Sequence, residues 1–168
     1  PNTVNKAVSA ACQLGVWMVN VHALGGRDMM VAARAAIEAS QHDRKPLLIA
    51  VSILTSMDQA ALYELGINKT VQQTVSDLTA MALDCGVDGM VCSALEALQL
   101  REQFGPRPVL VTPGIRPAGS DRQDQQRVMT PRQAMEAGAS YLVIGRPVTQ
   151  HAQPAEQLRA INQSLLAG

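Results

Sequence analysis

Two fragments of this chain set a glycine and an arginine directly after an apolar run: Val109-Leu110-Val111-Thr112-Pro113-Gly114-Ile115-Arg116 and Tyr141-Leu142-Val143-Ile144-Gly145-Arg146. Each reads as a buried strand that breaks into a loop and delivers a cation at its end. Two such exits side by side at one end of a sheet make a receptor for a phosphate. Glycine lets backbone N–H groups approach an anion closely, and a guanidinium offers a planar fork of donors. A single Arg at a strand end is as readily an ordinary surface residue. The repetition of the pattern is what points to phosphate.

Other residues invite a chemical reading. Thr55 and Ser56 leave an apolar run over 47–54, where they can meet a ligand, cap the helix that follows, or do both. His22 also ends an apolar run, and a hydrogen-bonded structural imidazole is the expected role. Asp88 and Asp124 read as solvated carboxylates without a partner suited to acid-base work. Cys12, Cys85 and Cys92 are odd in number and lack metal-type pairing, so they read as reduced, mostly buried thiols of a cytosolic protein. Met29 and Met30 read as core.

The elements that must position these residues are legible from periodicity. Helices are predicted over 4–14, from Met29 to Ile37, 60–65, 71–83, 95–104, 131–137 and 154–166. Two have an explicit start signal: Thr70 with Gln73, and Thr130 with Pro131 and Gln133. Strands are predicted over 16–23, 47–54, 89–93, 109–111 and 141–144, the first two buried on both faces. The polar stretch 117–128 reads as a long loop. Near-continuous Val, Ile and Leu in strands that alternate with helices means parallel strands covered by helices. An open doubly wound sheet and a (β/α)8 barrel both fit that pattern. No strand leads into a Gly-x-Gly-x-x-Gly turn, and polar residues gather at the C-terminal ends of several strands, which favours the barrel. About five strands are visible against the eight of a complete barrel, leaving about three outside the chain.

Composition narrows the partners. The 168 residues are 47% hydrophobic but only 2% aromatic, and fourteen Lys and Arg balance fourteen Asp and Glu. Such a balance argues against a nucleic-acid or membrane-surface role driven by bulk charge, so any cationic site must be local. The chain has no apolar run near the roughly 18 residues of a membrane span and no signal-peptide pattern at its start.

Taken together, Pro1-Asn2-Thr3, Val19-Asn20-Val21-His22-Ala23, Leu54-Thr55-Ser56-Met57, Val111-Thr112-Pro113-Gly114-Ile115-Arg116 and Val143-Ile144-Gly145-Arg146-Pro147-Val148 resemble the orotidine 5'-phosphate decarboxylase family of the bacterial type. The resemblance covers the chain in order. It implies a (β/α)8 TIM barrel, with residues 1–168 as one domain forming its C-terminal part. It also implies a cytoplasmic homodimer with sites at the dimer interface, acting without metal or organic cofactor. The implied reaction is decarboxylation of orotidine 5'-phosphate to UMP. By resemblance, Arg116 and the Gly145-Arg146 pair hold the 5'-phosphate, and Gln125 contacts the phosphate or ribose side. Thr55 with Ser56 beside it meets the pyrimidine amide, while Thr3 reaches the ribose in the partner's site. The family's Asp-x-Lys-x-x-Asp motif would immediately precede Pro1. Lys6, Lys45 and Lys69 are poorly placed substitutes, so the chain alone is expected to be inactive and, with two open strand edges, prone to associate. Other readings of the same Gly and Arg logic are a sugar-phosphate aldolase or hexulose-phosphate synthase barrel, or a non-catalytic phosphate-binding module.

Overall fold

The computed structural model of the chain describes residues 1–117 and 129–166. The strands are β1 (Met18–His22), β2 (Leu47–Val51), β3 (Gly89–Val91), β4 (Val109–Thr112) and β5 (Tyr141–Leu142). The helices are α1 (Asn2–Gln13), α2 (Arg27–Glu38), α3 (Gln59–Glu64), α4 (Val71–Asp84), α5 (Ala94–Phe104), α6 (Pro131–Glu136), α7 (Arg146–Thr149) and α8 (Pro154–Leu166). The strands follow chain order in one sheet, β1-β2-β3-β4-β5, and β1 with β2, β2 with β3 and β4 with β5 pair in parallel. Parallel neighbours joined through helices are the βα arrangement expected from the sequence. The chain divides into two compact units: Pro1–Ile53, Lys69–Val91 and Pro106–Val109 form the first, and Leu54–Asn68, Cys92–Gly105 and Leu110–Gly168 the second.

In the first unit, β1 and β2 pair from Met18 with Leu47 to His22 with Val51. Leu48, Ile49 and Ala50 are fully buried, and α2 turns Met29, Met30, Ala33, Ala36 and Ile37 inward at the spacing of one helical face. The methionines are core, as expected. Cys12 and Cys85 here, and Cys92 in the second unit, are buried thiols outside any disulfide. The expectation for β1 needs correction. Only Val21 of its residues is buried, Asn20 and His22 are exposed, and Trp17 just before it is half exposed. Its place at the end of the strand order leaves it with a single neighbour, β2.

Asp88 is the second correction. It is not a solvated carboxylate: its Oδ2 accepts from Arg34 Nη2 at 2.6 Å and from the backbone N–H of Leu48 at 2.7 Å. The Asp88 N–H in turn donates to the Leu48 carbonyl at 2.8 Å. One residue just ahead of β3 therefore closes both backbone groups of a residue in β2, and the next residue, Gly89, admits the close approach of the Val109 backbone.

The helix starts follow local chemistry. Complete capping boxes open α4 (Thr70 and Gln73), α5 (Ser93 and Glu96) and α6 (Thr130 and Gln133). The Ser93 box carries the matching Ser-x-x-Glu signature in the sequence. The four-residue helix α7, too short to show a period, was not expected. Asp88→Ala should lower stability by about 1–3 kcal/mol, because it removes the nearer of two carboxylates from the part-buried Arg34 guanidinium and the acceptor from a buried N–H. Urea denaturation measures this, and a midpoint unchanged from the parent would contradict the clamp.

Candidate phosphate site at the ends of β4 and β5

The second unit holds both Gly and Arg exits. β4 and β5 pair Val111 with Tyr141 and Thr112 with Leu142. Pairing reaches one step further, since Val143 N–H donates to the Thr112 carbonyl at 3.0 Å, and the buried Thr112 hydroxyl donates to the Tyr141 carbonyl at 3.2 Å. Neighbouring parallel strands leave the sheet at the same end, so the segments carrying Arg116 and Arg146 depart side by side.

Beyond β4 the chain turns at Gly114, whose φ of 77° is a conformation that side chains disfavour. Ile115 is fully buried and packs with Ala94, Ala134 and Ala139. Arg116 is only 8% exposed, which excludes the ordinary surface arginine. Its Nη1 donates to the Ile115 carbonyl at 3.0 Å, and its backbone N–H donates to Met129 at 3.0 Å. Ile115 and Met129 also form a parallel bridge, so the residues on either side of 118–128 are tied together at the foot of Arg116. Gln125 lies outside the described residues, as does Asp124.

Beyond β5, Gly145 caps α7 and Arg146 is its first residue. A Cβ built on Gly145 would meet nothing within 4 Å, so the backbone there borders open space and is accessible to a ligand. Gly145 has φ −91°, hence its use is close approach rather than a left-handed turn.

Thr55 is buried and Ser56 exposed, both in the second unit. Neither caps α3. Asp58 does so, its Oδ1 accepting from Ala61 N–H at 3.0 Å. The capping role weighed for Thr55 and Ser56 is thereby taken by a residue three and two positions on. Thr3 sits exposed in the first turn of α1, in the first unit. His22 is exposed, and among the described residues its side chain has no hydrogen bond. It borders a cleft of about 400 Å³ lined chiefly by Val4, Val8, Val19, Val21 and Met29.

Of the lysines, Lys45 pairs with Glu38 at 2.8 Å and Lys69 with Asp77 at 2.6 Å, while Lys6 lies exposed on α1. The Lys45 hydrogen bond and charge, with Arg34 adding to them, hold the exposed Glu38 carboxyl below its usual pKa. Among the described residues no group of three or more His, Cys, Asp or Glu side chains is placed to hold a metal ion. None of the described helices is long and apolar enough to cross a membrane.

Comparison with known proteins agrees with this geometry. Residues 1–161 match the family model described as "Orotidine 5'-phosphate decarboxylase / HUMPS family". The chain is 56% identical over 165 residues to orotidine 5'-phosphate decarboxylase of Pseudoalteromonas translucida, covering 98% of this chain and 70% of that protein. It is 54% identical to the enzyme of that name from Salmonella typhimurium, with 98% and 67% covered. The crystal structure of orotidine 5'-phosphate decarboxylase from Lactobacillus acidophilus superposes with a TM-score of 0.86 at 36% identity, over 99% of this chain and 71% of that one. The fold class is thus the (β/α)8 barrel, of which the described residues carry five strands, and the chain belongs to the orotidine 5'-phosphate decarboxylase / HUMPS family.

Proposed function

We propose that this chain supplies the substrate-binding part of an orotidine 5'-phosphate decarboxylase, acting in the cytoplasm on orotidine 5'-phosphate and yielding UMP and CO2. The observation that carries the reading is the buried Arg116 at the exit of β4 beside the Gly145-Arg146 exit of β5. Burying a guanidinium is costly, and a strand end that keeps one out of bulk water holds a strong oriented donor set. Arg116 and Arg146 grip the 5'-phosphate, and the open backbone at Gly145 admits its oxygens. Thr55, with Ser56 beside it, meets the pyrimidine amide.

In the reaction the bond between C6 and the carboxylate breaks, CO2 leaves, and the electron pair left at C6 takes a proton. That step needs an ammonium next to C6 as stabiliser and proton donor. Within these residues Lys45 and Lys69 are engaged in ion pairs on the first unit. The chain's own contribution is accordingly binding. Energy from holding the non-reacting phosphate is used to orient the pyrimidine and stabilise the transition state. Two copies of the protein share their sites, with Thr3 of one reaching the ribose bound by the other.

Titration calorimetry should show UMP and 6-aza-UMP binding far more tightly than ribose 5-phosphate; equal, weak binding of all three would leave only a generic phosphate site. Arg146→Ala should weaken every phosphorylated ligand by about 1.5–3 kcal/mol, the range for a hydrogen bond to a charged group, and an unaltered affinity would refute its role. The isolated 168-residue polypeptide should form no UMP from orotidine 5'-phosphate, whereas measurable turnover would show that its own lysines suffice. Light scattering of the UMP-saturated protein should give the mass of a dimer; a monomer would remove the role given to Thr3.

A further inference from the structure

Arg101, in the last turn of α5, reaches out of its helix toward three acceptors. Its Nε donates to the Gly138 carbonyl at 2.9 Å, Nη1 to the Gly105 carbonyl at 3.3 Å, and Nη2 to the Ser140 hydroxyl at 3.0 Å. The Ser140 oxygen also accepts the backbone N–H of Leu110 in β4 at 3.1 Å, and the Ser140 N–H donates to the Leu110 carbonyl at 2.8 Å. A hydroxyl oxygen has two lone pairs. Both are filled here, which fixes the Ser140 side chain against β4.

The first unit contains the same device. Asp88 stands immediately before β3 as Ser140 stands immediately before β5, and it closes both backbone groups of Leu48 in β2. Arg34 of α2 donates to it as Arg101 of α5 donates to Ser140. Two residues ahead of each acceptor is a glycine of positive φ, Gly86 at 79° and Gly138 at 98°. In each case the arginine stem lies over that glycine, Arg34 Cγ at 3.6 Å and Arg101 Cγ at 2.6 Å from where a Cβ would be. An arrangement built twice from residues remote in sequence is a designed brace rather than an incidental surface contact.

In the second unit the brace has a particular consequence. The β4 and β5 ladder is two residue pairs long with one further bond from Val143 to Thr112, too short to set its own register firmly. A slip of one residue would turn every following side chain to the opposite face. Arg116 follows Leu110 by the same number of residues as Arg146 follows Ser140, six in each case. We infer that Arg101, acting through Ser140, is a positioning residue for the phosphate site: it locks Leu110 beside Ser140 and so brings Arg116 and Arg146 to matching positions at the other end of the strands. The inference rests on the phosphate assignment made above.

The test compares UMP, ribose 5-phosphate and uridine on the intact protein by calorimetry. Arg101→Ala should raise the Kd of both phosphorylated ligands about tenfold, equivalent to about 1.4 kcal/mol of binding, and leave uridine unchanged. Arg101→Lys should recover part of the loss, and Ser140→Asp, which copies Asp88, should recover the affinity lost in Ser140→Ala. Equal weakening of uridine and UMP would reduce Arg101 to a general stabiliser and overturn the inference, as would unaltered phosphate affinity. Should Arg101→Ala fail to fold, Ser140→Ala decides, since it removes one hydroxyl; unaltered UMP affinity in that variant overturns the brace. Arg146→Ala separates the two levels. If it weakens ribose 5-phosphate while the Arg101 and Ser140 variants do not, only the brace fails; if it does not, the phosphate site fails and the brace with it.

Discussion

Parallel pairing of β4 with β5 is the constraint on which the site depends. Parallel neighbours must be joined by a crossover, here through α6, and they leave the sheet at the same end. Two short apolar runs that each end in Gly and Arg consequently deliver both arginines together, with no need for a contact between the arginines themselves. Backbone hydrogen bonds perform the alignment. The β-strands that carry the two exits are held together by Thr112, Ser140 and their partners.

The same economy governs the electrostatics. A chain with equal numbers of acidic and basic residues has no net field to draw an anion from a distance. What it has is a local concentration of donors, one of them buried. In a low-dielectric setting an oriented donor counts for more than the same group in water. A buried Arg116 at a strand exit is a stronger statement about function than any number of solvated arginines, such as the exposed Arg132 on α6.

Much of the fold was legible because its signals are local. Capping boxes at Thr70 and Thr130 placed the starts of α4 and α6, and α8 spans the residues its apolar period marked. The stripe of Met29, Met30, Ala33, Ala36 and Ile37 identified the buried face of α2. Where a residue's role depends on a distant partner, the reading failed. Asp88 looked solvated because Arg34 and Leu48 lie 54 and 40 residues away. Thr55 and Ser56 had the chemistry of a helix cap, yet Asp58, closer to α3, takes the bond.

The sequence by itself determined the element order, the parallel class of the strands, most helix starts and the identity of the Gly and Arg pair, because periodicity, capping and turn chemistry act over a few residues. It also carried enough residue detail to establish the family. Only the tertiary structure decided that Arg116 is buried, that Gly145 borders open space, and that Arg101 and Ser140 hold β4 against β5. The Leu110 and Ser140 contact joins residues 30 apart and the Arg101 and Ser140 contact residues 39 apart. Such proximity is produced by folding and leaves no periodic trace along the chain.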